Sequence, residues 1–158
     1  MILFLACTHD GGDSDALPFE PQSGSYVVTM DKEFEGCALE DMKTGHVVDD
    51  QWDFLIDGDG IRWWGNDQTS RYGTMDGLDF FFDLGTYPTD YAAWGYDALE
   101  AITYSMRGTF DSPTSFTGSW EIAVKCEGAD CAYVGTGWGK DFVYPCVASA
   151  AFVGTAAQ

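Results

Sequence analysis

Five aspartates crowd into residues 49–59, at Asp49, Asp50, Asp53, Asp57 and Asp59. A pair of carboxyl groups flanking a glycosidic bond is the equipment of sugar hydrolysis, one protonating the leaving oxygen and the other attacking or activating water. These five instead fall at turns or on the outward side of an alternating pattern, where acids serve solubility. His46 is chemically suited to act as a general base, yet its surroundings, KTGHVVDD, hold no nucleophile-elbow motif for a serine triad. DGDG at 57–60 and DGGDSD at 10–15 gather oxygen ligands of the kind calcium takes. Neither has the spacing and distal Glu of an EF-hand loop, and turn and linker chemistry accounts for both. The expectation is a protein that is not an enzyme, with no cofactor and no metal.

Aromatic residues carry a more specific signal, at 16% of the chain. Trp63 and Trp64 are adjacent, so in a strand one ring points inward and the other outward. Trp64, with Trp94 and Trp138 in glycine-bounded segments, offers flat faces that could stack on a sugar or line a pocket mouth. A second group, Trp52, Phe54, Phe80, Phe82, Tyr104, Met106 and Trp120, falls on the inward side of alternating segments and is expected to line a cavity for a small apolar ligand. The other outcome for the same residues is an interior packed solid with side chains.

Strands must hold these rings in place. In residues 78–84, Leu78, Phe80, Phe82 and Leu84 alternate with Asp79, Phe81 and Asp83; in 52–57, Trp52, Phe54 and Ile56 alternate with Asp53, Leu55 and Asp57. Such period-two alternation marks strands with one wet face. The GDG that follows and Ile61-Arg62-Trp63 complete a tight hairpin, the Asp-Gly dipeptides supplying the positive φ of a primed turn. The strongest hairpin is ITYSMRGTF-DSPTS-FTGSWEIAV. Folded symmetrically about Pro113, it pairs Phe110 with Phe116, Gly108 with Gly118, Met106 with Trp120, Tyr104 with Ile122 and Ile102 with Val124, leaving Ser105, Arg107, Ser119 and Glu121 outside. Its facing glycines predict a sharp bend or a large ring lying over the backbone, and so a strongly curved sheet. Further strands are expected at 25–31, 91–96 and 142–153. Helix is scarce: 37–44 suits a short turn, and 97–101 is too short to resist the adjoining strand pattern. The expected fold is all-β, an antiparallel up-and-down meander closing into a barrel of about eight strands; a β-sandwich is the alternative.

The chain opens with an apolar run, Met1 to Ala6, that ends at Cys7. A signal peptide has a basic start and about 7–15 apolar residues, so residues 1–7 read as the tail of a truncated one. Thr8 to Asp15 has the composition of a self-repelling linker, and a flexible acidic tether over 8–23 is expected to precede a single barrel domain over 24–158. Phe4-Leu5-Ala6-Cys7 resembles the lipobox of bacterial lipoproteins, a hydrophobic pair and a small residue before the cysteine that receives lipid. The resemblance implies lipidation of Cys7, with a membrane as partner through that anchor. Thr8, rather than Asp, in the next position implies by analogy sorting to the outer membrane of a Gram-negative bacterium, on its periplasmic or cell-surface side.

Setting Cys7 aside leaves Cys37, Cys126, Cys131 and Cys146, an even set that suits an oxidising compartment. Four cysteines permit three connectivities. The favoured one closes the CEGADC loop as Cys126–Cys131 and ties an early strand region to a late one as Cys37–Cys146. Zinc is disfavoured, because the spacing is not that of paired CxxC motifs and His9 and His46 are distant from the cysteine cluster.

Across roughly residues 24–153 the layout resembles the lipocalin and calycin group. Gly24-Ser25-Tyr26 is similar to the opening G-x-W of that group with Tyr for Trp, and Thr89-Asp90-Tyr91 matches its TDY segment. The chain also resembles small bacterial β-barrel lipoproteins that carry CxGxxC and PC patterns, here in CEGADC and Pro145-Cys146. These resemblances imply an eight-stranded barrel that holds a small apolar ligand.

A formal net charge of -19, with only seven basic residues, repels nucleic acid, whose binding relies on clustered Lys and Arg. No nucleic-acid partner is expected. The combined expectation is a non-enzymatic, lipid-anchored β-barrel with a small apolar ligand inside; the alternative is a surface module that recognises glycan or protein through Trp64, Trp94 and Trp138.

Overall fold

The computed structural model describes residues 17–30, 36–37, 50–65 and 69–157. Cys7, His9, His46, Asp49, residues 8–16 of the expected tether and residues 38–44 of the expected helical turn lie outside them. Eight strands follow in chain order: β1 (Gly24–Met30), β2 (Asp50–Asp57), β3 (Gly60–Trp64), β4 (Ser70–Asp76), β5 (Asp79–Asp90), β6 (Leu99–Ser112), β7 (Ser115–Glu127) and β8 (Cys146–Ala156). Each pairs antiparallel with the next, and β8 pairs with β1 to close the barrel. The fold is the all-β meander that the alternation predicts.

Register turns the alternation into layers. Phe110, Phe116, Gly154 and Val28 are consecutive cross-strand partners, and so are Met75, Phe80, Gly108, Gly118, Phe152 and Met30 one layer up. Within these layers a large ring sits opposite a glycine. A methyl built on Gly154 would overlap the Phe116 ring, one on Gly118 the Phe152 ring, and one on Gly108 the Phe80 ring. The absent side chains create the volume that the phenylalanines fill, which is how so narrow a barrel accommodates so many rings. All five pairings expected of the 102–124 hairpin are present.

Three expectations about elements are corrected. Residues 91–96 do not form a strand: Tyr91–Trp94 is a 3-10 helix, started by Asp90, whose carboxyl accepts from the Ala92 N–H at 2.9 Å, and ended by Gly95 at φ 84. A strand not anticipated, β4, takes the vacant place in the meander. The last strand begins at Cys146 rather than at 142, directly after Pro145, which has no N–H to give a ladder. A short helix, α1 (Cys131–Gly135), follows β7.

The turns β2–β3, β4–β5 and β6–β7 close one end of the barrel. Residues 17–23, assigned by composition to the tether, run across this end: Phe19 packs on the core, the Gln22 N–H donates to the Pro113 carbonyl at 2.9 Å, and the Ser23 hydroxyl accepts from the Ile56 N–H at 2.8 Å. Two disulfides, Cys37–Cys146 and Cys126–Cys131, staple the opposite end.

Candidate functional site

The seven expected cavity residues divide into two groups. Trp52, Phe54, Phe80, Phe82 and Met106 are fully buried in a single cluster. Their rings meet one another: Trp52 and Phe54 lie 6.2 Å apart, Phe54 and Phe80 5.7 Å, and Phe80 and Phe82 6.1 Å. Edge-to-face and tilted packing at these distances leaves a ligand no room among them. Tyr104 and Trp120, nearer the stapled end, instead border a cleft of about 350 Å³ with Arg71, Leu84 and Tyr87.

Strand length and one irregularity build this cleft. β5, β6 and β7 run for 12, 14 and 13 residues against 5 to 8 for β2 to β4, so they project as a ribbon beyond the ring cluster. Between Asp83 and Gly85 the β5–β6 register shifts. The extra residue reverses the even-odd assignment, so Tyr87 joins the inward face, 5.7 Å from Tyr104. Burial raises the Tyr104 hydroxyl above its ordinary pKa, and Tyr87 adds to the shift.

Arg71 shares this face because it is the cross-strand partner of Trp63. Its guanidinium lies 4.8 Å over the Trp63 ring, and one of its N–H groups donates to the Thr69 carbonyl at 3.2 Å. Trp63 is only 4% exposed, and its indole N–H, though buried, has no hydrogen-bond acceptor among the described residues. An inward arginine beside aromatic walls suits a ligand that is mostly apolar but carries one acceptor atom; the Trp63 indole is not among the lining residues.

A buried carboxyl group fixes the outer end of the ribbon, on the same face as Ile102 and Tyr104. Glu100, 2% exposed, accepts from Tyr91 at 3.2 Å, from the Trp138 indole N–H at 2.6 Å and from the Tyr144 hydroxyl. Phe142 and Tyr144 pack with Ile122, Val124 and Ala148 in a second core cluster over the ribbon. Loop-to-loop bonds hold the approach: the Asp97 N–H donates to Asp130 at 2.8 Å, and the Ala129 N–H to Asp97 at 3.1 Å. Burial pushes the Tyr144 hydroxyl well above its usual range, and the bond to Glu100 pushes the same way.

The three tryptophans expected at the surface occupy different settings. Trp64 points outward as its adjacency to Trp63 requires, but Arg62 covers it at 4.5 Å. Trp138 is tied to Glu100. Trp94 is 64% exposed, with Tyr91 5.4 Å away on one side. Sequence reasoning missed Arg71 and Tyr87; Gly85 was the available signal for Tyr87, since an isolated glycine inside a strand pattern marks a bulge.

Comparison with protein-family models, with curated proteins and with solved structures returns no match. The ligand reading therefore rests on the geometry of the cleft.

Proposed function

We propose that the chain is a non-enzymatic, lipid-anchored barrel protein of the bacterial outer membrane, periplasmic or surface-facing, that holds one small apolar ligand at the open end of its barrel. One observation carries the ligand reading: the interior is filled with rings up to Phe82 and Met106, whereas the layers beyond leave a cleft of about 350 Å³ between Arg71, Leu84, Tyr87, Tyr104 and Trp120. That volume falls at the low end of the roughly 300–1,000 Å³ typical of small-molecule sites. The ligand is therefore compact, with its acceptor atom toward Arg71.

Titration with the fluorescent apolar probe N-phenylnaphthylamine tests this. Saturable binding at one site is expected, and Leu84→Trp, which fills the cleft, abolishes it. No saturable binding, or full binding by Leu84→Trp, contradicts the proposal. The anchor rests on the lipobox-like Phe4-Leu5-Ala6-Cys7, and mass spectrometry of the membrane-extracted protein should find acyl chains on Cys7 that Cys7→Ser lacks. The 64% exposure of Trp94 favours a second reading, a surface module for glycan or protein; loss of binding to a partner surface in Trp94→Ala, with N-phenylnaphthylamine binding retained, would select it.

A further inference from the structure

The outer wall carries a second depression, of about 720 Å³, that crosses β4 to β7 away from the cleft. Register explains its shape. Asp76, Asp79 and Thr109 are consecutive cross-strand partners in one outward row, and Phe81, Arg107 and Ser119 in another. The rows stand two residues apart along the strands, roughly 6.6 Å at the usual rise. Between them runs the inward-facing layer, which includes Gly108 and Gly118, so the floor of the groove is largely bare backbone.

The walls define the chemistry. Phe81 is 44% exposed, a ring with an apolar face toward solvent. Thr109 donates to Asp79 at 2.5 Å, and Arg107 to Glu121 at 2.5 Å. Carboxyl groups that can accept from several donors at once therefore stand beside a ring, with hydroxyls and a guanidinium able to donate. A pyranose matches this set, since its C–H face stacks on an aromatic ring while its rim of hydroxyls both donates and accepts. Polar walls suit an apolar ligand poorly. An acidic ligand meets the field of a chain with a net charge of -19 and a single groove arginine already paired with Glu121.

We propose that this groove binds a neutral oligosaccharide, with Phe81 as the stacking platform, Asp76 and Asp79 accepting from sugar hydroxyls and Arg107 donating to them. The site is separate from the cleft and from Trp64, Trp94 and Trp138. Isothermal titration of the full chain with cellohexaose, maltohexaose, xylohexaose and mannohexaose, each at millimolar concentration, tests it. At least one should bind, and Phe81→Ala should weaken that binding about tenfold, the value of one aromatic stacking contact. Phe81 points outward, so its removal spares the core; Asp76→Asn, isosteric and exposed, should weaken binding severalfold. Leu84→Trp should leave saccharide affinity unchanged, which separates this site from the cleft. Absence of heat from every hexasaccharide, full affinity in Phe81→Ala, or tighter binding of oligogalacturonate would overturn the proposal.

Discussion

Glu100 is a polar residue inside an apolar ribbon, and three side-chain donors converge on it from Tyr91, Trp138 and Tyr144. Removing the acceptor leaves these donors unanswered, each at a cost of about 1–3 kcal/mol where water cannot reach. Tyr91 and Trp138 lie near the surface and recover part of that. Glu100→Ala is therefore expected to lose about 3 kcal/mol in urea unfolding, with Tm falling by roughly 6–12 °C; Glu100→Gln keeps an acceptor and should lose less. The same network sets behaviour in alkali. Burial holds the hydroxyls of Tyr26, Tyr91, Tyr104 and Tyr144 above the ordinary pKa of 10.0, Tyr144 furthest. As pH rises past about 10, the unfolded chain releases these protons while the folded chain retains them. Stability is thus full below that pH and falls as pH climbs through the folded values. Tyr144→Phe removes the largest contribution, so its urea midpoint should decline less steeply above about pH 10 than that of the parent.

At the scale of elements, the barrel depends on phenylalanine facing glycine across paired strands. Gly154→Ala drives a methyl into the Phe116 ring, in a layer closed on every side, and should cost about 2–3 kcal/mol by overpacking. Val153→Thr, one position along β8 on the outward side, should stay within about 0.5 kcal/mol; equal losses in the two variants would contradict the layer description. These facing pairs also explain what could be read from the sequence. In β6 and β7 the pairing from Ile102–Val124 to Phe110–Phe116 was legible, because a tight turn fixes their register and the inward positions hold only apolar residues and facing glycines; the outer ends, Leu99 to Ala101 and Lys125 to Glu127, were not. β4 was not legible. Its inward positions are Arg71, Gly73 and Met75, a charge, a gap and one apolar side chain, so the period-two signal vanishes; only Asp76-Gly77, a turn with Gly77 at φ 63, marked where a strand had to end. The strand expected at 91–96 failed for a local reason, since Asp90 caps a helical turn that Gly95 closes.

At the scale of the molecule, the two ends of the barrel differ in kind. Turns, residues 17–23 and a dense set of rings seal one end. The other is a projecting ribbon, held by Glu100 and two disulfides, whose inner face is only partly covered. The sequence marked the inward positions as aromatic, but the bulge that brings Tyr87 inward and the pairing of Arg71 with Trp63 exist only once the strands are in register. Five of the seven residues first expected to touch a ligand are the packed floor, and Tyr104 and Trp120 are the wall. The most direct measurement is a crystal structure of the protein soaked with para-iodophenol, a compact apolar molecule with one acceptor atom, in which anomalous scattering locates the iodine. A single peak in the cleft between Leu84 and Trp120, with the phenol oxygen toward Arg71, is the result expected. Iodine lodged among Trp52, Phe54 and Phe82, or no peak at any inward-facing residue, would contradict it.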